Sequence, residues 1–247
     1  WGFCITQNQR EQLKDGHYHV VIKSRLFPGS LTYGELLIPG ESEKEIFLST
    51  YICHPSMANN ELSGPVLQVE LAKWLLCKEW RKYSYRLIWV PETIGSITYL
   101  ARNLEVMKKN IIGGYNLTCV GDDNAVSYVA SRSGNTLADI AAKSVLKFAA
   151  PGYKYYSFLH RGSDERQYNS PGVDLPVCSV CRSKYHEYPE YHTSADDMNY
   201  ISPTGLQKAY EIYVEIIESL EANVKYRCTV CCEPQLGKRG LYPAESF

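Results

Sequence analysis

The sequence predicts an α/β domain in which helices flank a mostly parallel β-sheet. Three observations support this prediction: β-prone runs alternate with helical patterns, polar stretches follow the ends of those runs, and the composition is that of a globular protein. Of the 247 residues, 45% are hydrophobic and 21% are charged, which is ordinary for a folded domain. A chain of this length can bury a substantial core.

The strands and helices alternate along most of the chain. Helix starts carry the clearest signals. Ser63 is the predicted N-cap of the first long helix, Thr136 with Asp139 resembles a capping box, and Ser202 followed by Pro203 opens the last helix. Strands are predicted over residues 45–53, 85–90, 111–120, 126–131, 153–158 and 175–180, and helices over 63–78, 94–107, 137–148 and 203–220.

The ends of the chain differ from its middle. Two β-prone runs over residues 17–23 and 31–38, separated by Pro28-Gly29, predict a hairpin or a sheet edge. The α/β pattern then extends over residues 41–221. After residue 222 it gives way to a tail rich in Cys, Pro and Gly, which we interpret as a linker leaving the domain.

Charge and cysteine usage narrow the class of protein. The net charge of −1 gives no reason to expect nucleic acid or an anionic membrane as a partner. No apolar run approaches the roughly 20 residues of a spanning helix, and no signal peptide is visible. Nine cysteines, an odd number, favour reduced thiols and a cytoplasmic location. Homo-oligomerisation is left open.

Four polar stretches follow predicted strand ends, at residues 54–61, 91–96, 161–167 and 188–197. The loops after parallel strands gather at one edge of the sheet, where ligands bind in open α/β sheets. Histidine and carboxylate side chains there suit zinc or a similar ion. The pairs Cys178/Cys181 and Cys228/Cys231 are poorer candidates for a structural zinc. Cys178 and Cys181 lie three apart on a predicted strand and so face opposite sides, and the gap between the two pairs is far longer than the ~15–20 residues of ribbon-type sites.

These stretches carry a family resemblance. His54 followed by Asn60-Glu-Leu-Ser-Gly64, then Glu92-x-x-Gly95-Ser96, Ser163-Asp164 and Tyr191-His192-Thr193, resembles the motifs of the M28 zinc aminopeptidases. The closest similarity is to a bacterial aminopeptidase-like branch, the domains of unknown function 4910 and 2172. The resemblance implies a three-layer zinc-exopeptidase-like sandwich over about 41–221. It also implies that residues 1–40 end a small inserted β domain, and that residues 222–247 lead to a further C-terminal domain.

The resemblance implies roles for individual residues. His54 and His192 match metal ligands, Glu92 matches the general base, and Tyr191 matches a residue that can hydrogen-bond an oxyanion. Asn60 and Asp164 fall at or beside metal positions. The substrate-binding candidates are Glu61, Glu165 and Arg166.

Three departures from the family pattern argue against a two-zinc site. Asn60 stands where a bridging carboxylate is expected, and Thr93 and Thr118 replace two further acidic residues. One zinc remains compatible, because two histidines, one carboxylate and water form a known catalytic set. The carboxylate is Glu61, Glu92 or Asp164. If Glu92 is the ligand, Glu61 or Glu165 takes the role of base.

Two functions are consistent with these motifs. The first is a metal-dependent hydrolase of aminopeptidase or deacylase type, acting on an amide of a peptide or a modified small molecule. The alternative is a catalytically silent aminopeptidase-like binding module that lacks the full two-metal site.

Overall fold

The computed structural model describes residues 3–53, 56–224, 226–232 and 235–242. The chain divides into two compact units, Trp1–Ser30 and Leu31–Phe247. In the first unit, the short helix α1 (Gln7–Gln12) begins with a capping box formed by Thr6 and Gln9. Every described residue from 3 to 30 is exposed.

The second unit holds a seven-stranded sheet. Its strands are β1 (Gly34–Ile38), β2 (Ser42–Tyr51), β3 (Tyr83–Val90), β4 (Ile111–Asn116), β5 (Ser127–Val129), β6 (Lys154–Tyr156) and β7 (Val177–Cys181). Their order across the sheet is β1-β3-β2-β4-β7-β5-β6. β1 runs antiparallel to β3 and β5 runs antiparallel to β7, while the other four pairs are parallel. The predicted mostly parallel sheet is confirmed.

Helices cover both faces of this sheet. α2 (Ser63–Cys77), α4 (Leu137–Ala149) and α6 (Pro203–Glu221) contribute Leu71, Ala142 and Ile216 to the larger core cluster. α3 (Ile94–Asn110) and the short α5 (Glu165–Tyr168) contribute Tyr99, Met107 and Tyr168 to a second cluster. Burial on both faces explains why every residue of β2 from Glu45 onwards is buried. The three-layer sandwich is confirmed.

Most helix caps agree with the sequence prediction. The Thr136–Asp139 capping box and the Ser202 cap, which accepts from the Gly205 amide, are both present. Ser63 is not an N-cap, however, because the π-helical turn Ala58–Leu62 precedes it and runs directly into α2. Its hydroxyl instead donates to the Asn59 carbonyl and accepts from the Val120 amide.

One predicted β run is absent, and several predicted strands are shorter than expected. Residues 17–23, all of them described, form no strand. The predicted hairpin is therefore half right, since only its second run, β1, is a sheet edge. β4 ends at Asn116 rather than residue 120, and Cys119 adopts a positive φ of 52° that ends the extended conformation.

The ends of the chain are simple. Beyond Glu221, the described residues contain one 3₁₀ turn, Gly237–Arg239. The linker at 222–247 and the inserted domain before residue 40 stay predictions, although β1 belongs to the sheet and the division into units falls at Ser30. Among the described residues, none of the helices combines the length and apolar character needed to cross a membrane.

Candidate active site at the carboxyl edge of the sheet

The polar stretches do gather where parallel strands end. Cys53 follows β2, Glu92 follows β3, and Asn60 and Glu61 lie on the π-helical turn between β2 and α2. The Cys53 amide donates to Glu61, and the Glu92 amide donates to the Cys53 sulfur at 2.7 Å. His54, the first predicted metal ligand, lies outside the described residues, and its role stays a prediction.

Glu92 is presented by an unusual turn. Thr93 has φ 62° and ψ −65°, and the Ile94 amide donates to the Glu92 carbonyl at 2.7 Å. This is a γ-turn with a positive central φ, a rare and strained conformation that costs about 1–3 kcal/mol in a non-glycine residue. Such strain persists only where the surrounding structure holds it. The turn fixes the backbone on which Glu92 is carried.

Asp164 holds this turn in place. Its Oδ1 accepts from the Thr93 amide and from the Ser96 hydroxyl, both at 2.8 Å. The side chain is fully buried. Burial raises the pKa of Asp164 to about 7, although the hydrogen bonds from Thr93 and Ser96 oppose that shift and the charges of Glu92 and Glu165 add to it. Its Oδ2 has no hydrogen-bond partner among the described residues.

Glu92 itself is half-buried, and its carboxylate accepts from the Ser163 hydroxyl at 2.9 Å. Ser163 in turn accepts from the Asn116 amide group at 3.2 Å. Asn116 lies at the end of β4, so the Glu92 carboxylate is oriented from the neighbouring part of the sheet.

Glu165 is also fully buried. One carboxylate oxygen accepts from the amides of Gly162 and Ser163, at 2.9 and 3.2 Å, and from the Tyr185 hydroxyl. The other accepts from Asn116 at 3.2 Å. These hydrogen bonds largely fill the capacity of the Glu165 carboxylate, which favours a role in positioning the neighbouring residues. Substrate contact by Glu165 stays a prediction. Arg166, by contrast, is exposed.

Asn60 belongs to a buried network rather than an open site. Its side-chain NH₂ donates to the Tyr51 hydroxyl at 2.8 Å, and Tyr51 hydrogen-bonds Thr118. Its backbone amide donates to Asp196 at 3.0 Å. The amide oxygen, Oδ1, is buried without a hydrogen-bond partner in the part of the chain that the structure describes.

Two aspartates that the sequence analysis left without a role organise this network. Asp196 accepts from the backbone amides of Asn59 and Asn60, at 2.6 and 3.0 Å, and fixes the π-helical turn. Asp122 accepts from the Asn59 side chain at 3.1 Å and from the Ser183 amide at 2.8 Å. Asp122 lies six residues after the end of β4, on the loop at the carboxyl edge of the sheet, and that position is the one signal that could have identified it.

Tyr191 and His192 lie next to each other with stacked rings, 4.0 Å between centroids and 17° between planes. Tyr191 is half-buried and His192 is exposed with a positive φ of 58°. Burial raises the pKa of Tyr191, and the nearby groups Cys119, Glu92 and Glu165 raise it further. The roles of Tyr191 and His192 stay predictions.

A cleft of about 560 Å³ opens beside the π-helical turn. Its walls are largely apolar, with two carboxylates, and include Ile52, Cys53, Met57, Glu61 and Asp197. Burial raises the pKa of the Cys53 thiol to about 11, so this thiol is protonated at neutral pH and is a poor nucleophile.

Two buried side-chain oxygens are of the chemical type that binds a cation. Asn60 Oδ1 and Asp164 Oδ2 are buried acceptor oxygens without hydrogen-bond partners among the described residues, and such atoms suit a metal ion. Within residues 3–53, 56–224, 226–232 and 235–242, no three His, Cys, Asp or Glu side chains are grouped as a metal site. His54 is not among those residues.

The sequence matches the profile of a domain of unknown function, DUF4910, over residues 14–223. The chain belongs to the DUF4910 family. A second domain of unknown function, DUF2172, matches residues 1–25. The predicted aminopeptidase-like resemblance is confirmed at the level of family and fold.

The relatives of this DUF4910 chain are aminopeptidase-like. A Clostridium acetobutylicum protein described as a proposed polysaccharide biosynthesis protein with an aminopeptidase-like domain is 49% identical over 243 residues, covering 98% of this chain and 55% of that protein. A crystal structure of a proposed peptidase from C. acetobutylicum has a TM-score of 0.83 and 47% identity, covering 97% of this chain and 56% of that one. The chain thus spans about half the length of these relatives.

The DUF4910 fold extends to more distant proteins. BSAP, a zinc aminopeptidase from Bacillus subtilis, has a TM-score of 0.62 at 17% identity, covering 76% of this chain and 49% of that one. At this level of identity the likeness concerns the fold alone.

Proposed function

We propose that this domain is a metal-dependent hydrolase of aminopeptidase or deacylase type, which attacks an amide of a peptide or a modified small molecule. The observation that carries the proposal is the presentation of Glu92. A half-buried carboxylate stands on a strained turn at the carboxyl edge of a parallel sheet, with one oxygen held by Ser163. The aminopeptidase-like relatives described above also support it.

Glu92 acts as the general base in this proposal. It takes a proton from the attacking water and later delivers it to the leaving amine, a role that contributes roughly 10²- to 10⁴-fold in rate. The γ-turn at Thr93 and its hydrogen bond to Asp164 fix the direction of the carboxylate.

Tyr191 stabilises the oxyanion that develops on the substrate carbonyl. Its raised pKa keeps the hydroxyl protonated at neutral pH, so that it can donate a hydrogen bond. The stacked ring of His192 limits the directions in which Tyr191 can turn.

Zinc is the cofactor we assign to the site, and the expected number is one ion per chain. His54 and His192 would hold it together with an oxygen ligand, for which Asp164 Oδ2 and Asn60 Oδ1 are the candidates. When bound, zinc supplies Lewis acidity that polarises a carbonyl and lowers the pKa of water. A neutral amide at Asn60 cannot balance two dications, which argues against a second ion.

The substrate is expected to enter through the cleft beside the π-helical turn. Glu61 lies in its wall, where a carboxylate can receive the ammonium group of a substrate. Arg166 is exposed next to Glu165 and can contact an acidic group of the substrate.

The test compares Glu92→Gln with the wild-type protein on a panel of aminoacyl amides and N-acyl amino sugars. We expect turnover to fall by about 10²- to 10⁴-fold, whereas Glu105→Gln, an exposed carboxylate on α3, keeps full activity. Metal analysis should find about one zinc per chain, which His54→Ala and His192→Ala lose. Full turnover in Glu92→Gln, or no bound zinc after supplementation, would contradict the proposal.

A second candidate function is a silent binding module with the same fold. It is favoured by Thr93 and Thr118, which stand where the resembled zinc aminopeptidases carry acidic residues. The Thr118 hydroxyl is engaged in a buried hydrogen bond with Tyr51. Binding of zinc without turnover of any amide in the panel is the result that would select this function.

A further inference from the structure

A second cleft, of about 580 Å³, lies at the carboxyl end of β7. Its walls come from the loop after β4, the end of α4, the start of β6 and one side of α6. None of the residues assigned to the Glu92 site lines it. Its polar lining includes Asp123, Tyr153, Lys154, Arg182, Lys208 and Glu211.

Arg182 is the distinctive residue of this cleft. Only 5% of its surface is exposed, and its Nε donates to the Asp122 carbonyl at 2.6 Å. Among the described residues, Nη1 and Nη2 make no hydrogen bond, and no carboxylate lies within ion-pairing distance. Neither terminal nitrogen is among the buried side-chain atoms that lack a hydrogen-bond partner, so both are reached by solvent. The guanidinium therefore lines the cleft with two solvent-accessible nitrogens that have no partner among the described residues.

Guanidinium N–H donors that no protein group accepts are available to a ligand that enters the cleft. The contrast within this molecule is clear. Arg86, which has a similarly buried side chain, contacts the Glu45 carboxylate at 2.6 Å through Nε and at 3.0 Å through Nη2, and contacts Glu35 at 2.9 Å. Arg182 has no comparable carboxylate, although the cleft around it is large enough for a ligand.

Guanidinium has the planar donor geometry that matches carboxylate and phosphate in a two-point contact. The rim adds Lys154 and Lys208, both exposed. It also carries three acidic side chains, Asp123, Glu211 and Glu215, so the formal charges of the lining balance. Such a rim suits a ligand with one anionic group and further polar groups, and is less suited to a polyanion.

We propose that this cleft is a second ligand site, in which Arg182 binds a small molecule through a carboxylate or phosphate group. The inference is independent of the proposed hydrolase. The two sites are nevertheless connected, since Arg182 donates to the Asp122 carbonyl and the Asp122 carboxylate holds the Asn59 side chain at 3.1 Å.

The experiment titrates the whole chain with inorganic phosphate and, separately, with acetate, at constant ionic strength in a calorimeter. We expect saturable binding of at least one of them at one site per chain. Arg182→Gln should weaken that binding by about tenfold or more, as expected for a lost charge-assisted hydrogen bond. Arg102→Gln, an exposed arginine on α3, is the matched control and should leave the affinity unchanged.

The variant Arg182→Lys distinguishes loss of ligand binding from structural damage caused by replacing Arg182. Both Arg182 variants lose the Nε contact to Asp122, but only Lys keeps the charge, so it should bind more tightly than Gln. If Arg182→Gln fails to fold by circular dichroism, the double variant Lys154→Gln/Lys208→Gln replaces it. Loss of these exposed charges should weaken binding by about threefold.

The two titrations also identify the ligand class. Binding of phosphate alone assigns a phosphate ligand, and binding of acetate alone assigns a carboxylate. The proposal is overturned if neither anion binds saturably. It is also overturned if the affinity stays unchanged in Arg182→Gln or, where that variant does not fold, in the double variant.

Discussion

Thr93 shows how a single residue can carry both strain and function. A β-branched residue strongly disfavours positive φ, so the local sequence Pro91-Glu-Thr-Ile94 gives no indication of the γ-turn. The conformation is held by Asp164, which lies 71 residues further along the chain. The sequence identified Glu92 as a candidate base, but the turn at Thr93 that orients Glu92 depends on a long-range hydrogen bond.

Replacement of Thr93 should reveal the stored strain. Thr93→Gly allows the positive φ without steric conflict, whereas Thr93→Ala removes nearly the same side-chain atoms and keeps Cβ. We expect Thr93→Gly to be more stable than Thr93→Ala by about 1 kcal/mol, measured by urea denaturation. Equal stability of the two variants would show that the turn is not strained.

Asn60 also depends on partners that its local sequence does not contain. From the sequence, Asn60 is one polar residue in a turn. The structure surrounds it with Tyr51, nine residues earlier, and with the distant residues Thr118 and Asp196. The residue type was visible in the sequence, but its buried partners were not.

At the scale of elements, the helix starts were the best-predicted features. The capping box of α4 and the Ser-Pro start of α6 are local patterns, formed by residues within three positions of one another. The prediction of Ser63 as an N-cap was wrong because the turn before α2 is already helical. That turn is held by Asp196, more than 130 residues away. A helix cap can be predicted from the sequence when its partners are local. The prediction fails when a distant residue determines how the helix begins.

The α4 cap also joins the helix to the sheet. Asp139 is fully buried and accepts from Tyr128 on β5 at 2.6 Å, from the Ser131 amide at 2.9 Å and from the Thr136 amide at 2.7 Å. Burial acts to raise the pKa of Asp139, but the hydrogen bonds from Ser131, Tyr128 and Thr136 together outweigh it and lower the pKa below its usual value.

Asp139→Asn should therefore lower stability in a pH-dependent way. Because the folded-state pKa lies below the unfolded value of about 3.9, the stabilisation by the carboxylate is complete above about pH 5 and disappears as pH falls through the folded-state pKa. We expect the variant to lose about 2 kcal/mol at pH 7 and less at pH 3, measured by urea denaturation at both values. Asp15→Asn, at an exposed position, is the control, and a loss that does not depend on pH would contradict the explanation.

At the scale of the whole molecule, the core is confined to the second unit. The buried hydrophobic residues begin at Ile38, and every described residue between 3 and 30 is exposed. The sheet pairs and both core clusters lie within residues 31–242. The stability of the sandwich should therefore not depend on the first unit.

Removal of residues 1–30 tests this conclusion. We expect the shortened chain to unfold in one cooperative transition, with a free energy of unfolding within about 1 kcal/mol of the full chain, because no described residue from 3 to 30 is buried. Urea denaturation followed by circular dichroism provides the measurement. A loss of several kcal/mol, or a broad transition, would show that the first unit contributes to the core.

The sequence by itself determined the alternation of strands and helices, the α/β class and the edge at which polar residues gather. These properties follow from hydrophobic periodicity and from capping patterns, which act over a few residues. The strand order β1-β3-β2-β4-β7-β5-β6, the strained turn under Glu92, the partners of Asn60 and the contact of Arg182 with the Asp122 carbonyl were decided by the tertiary structure alone. Each depends on hydrogen bonds between residues far apart in the chain, and no local pattern encodes such contacts.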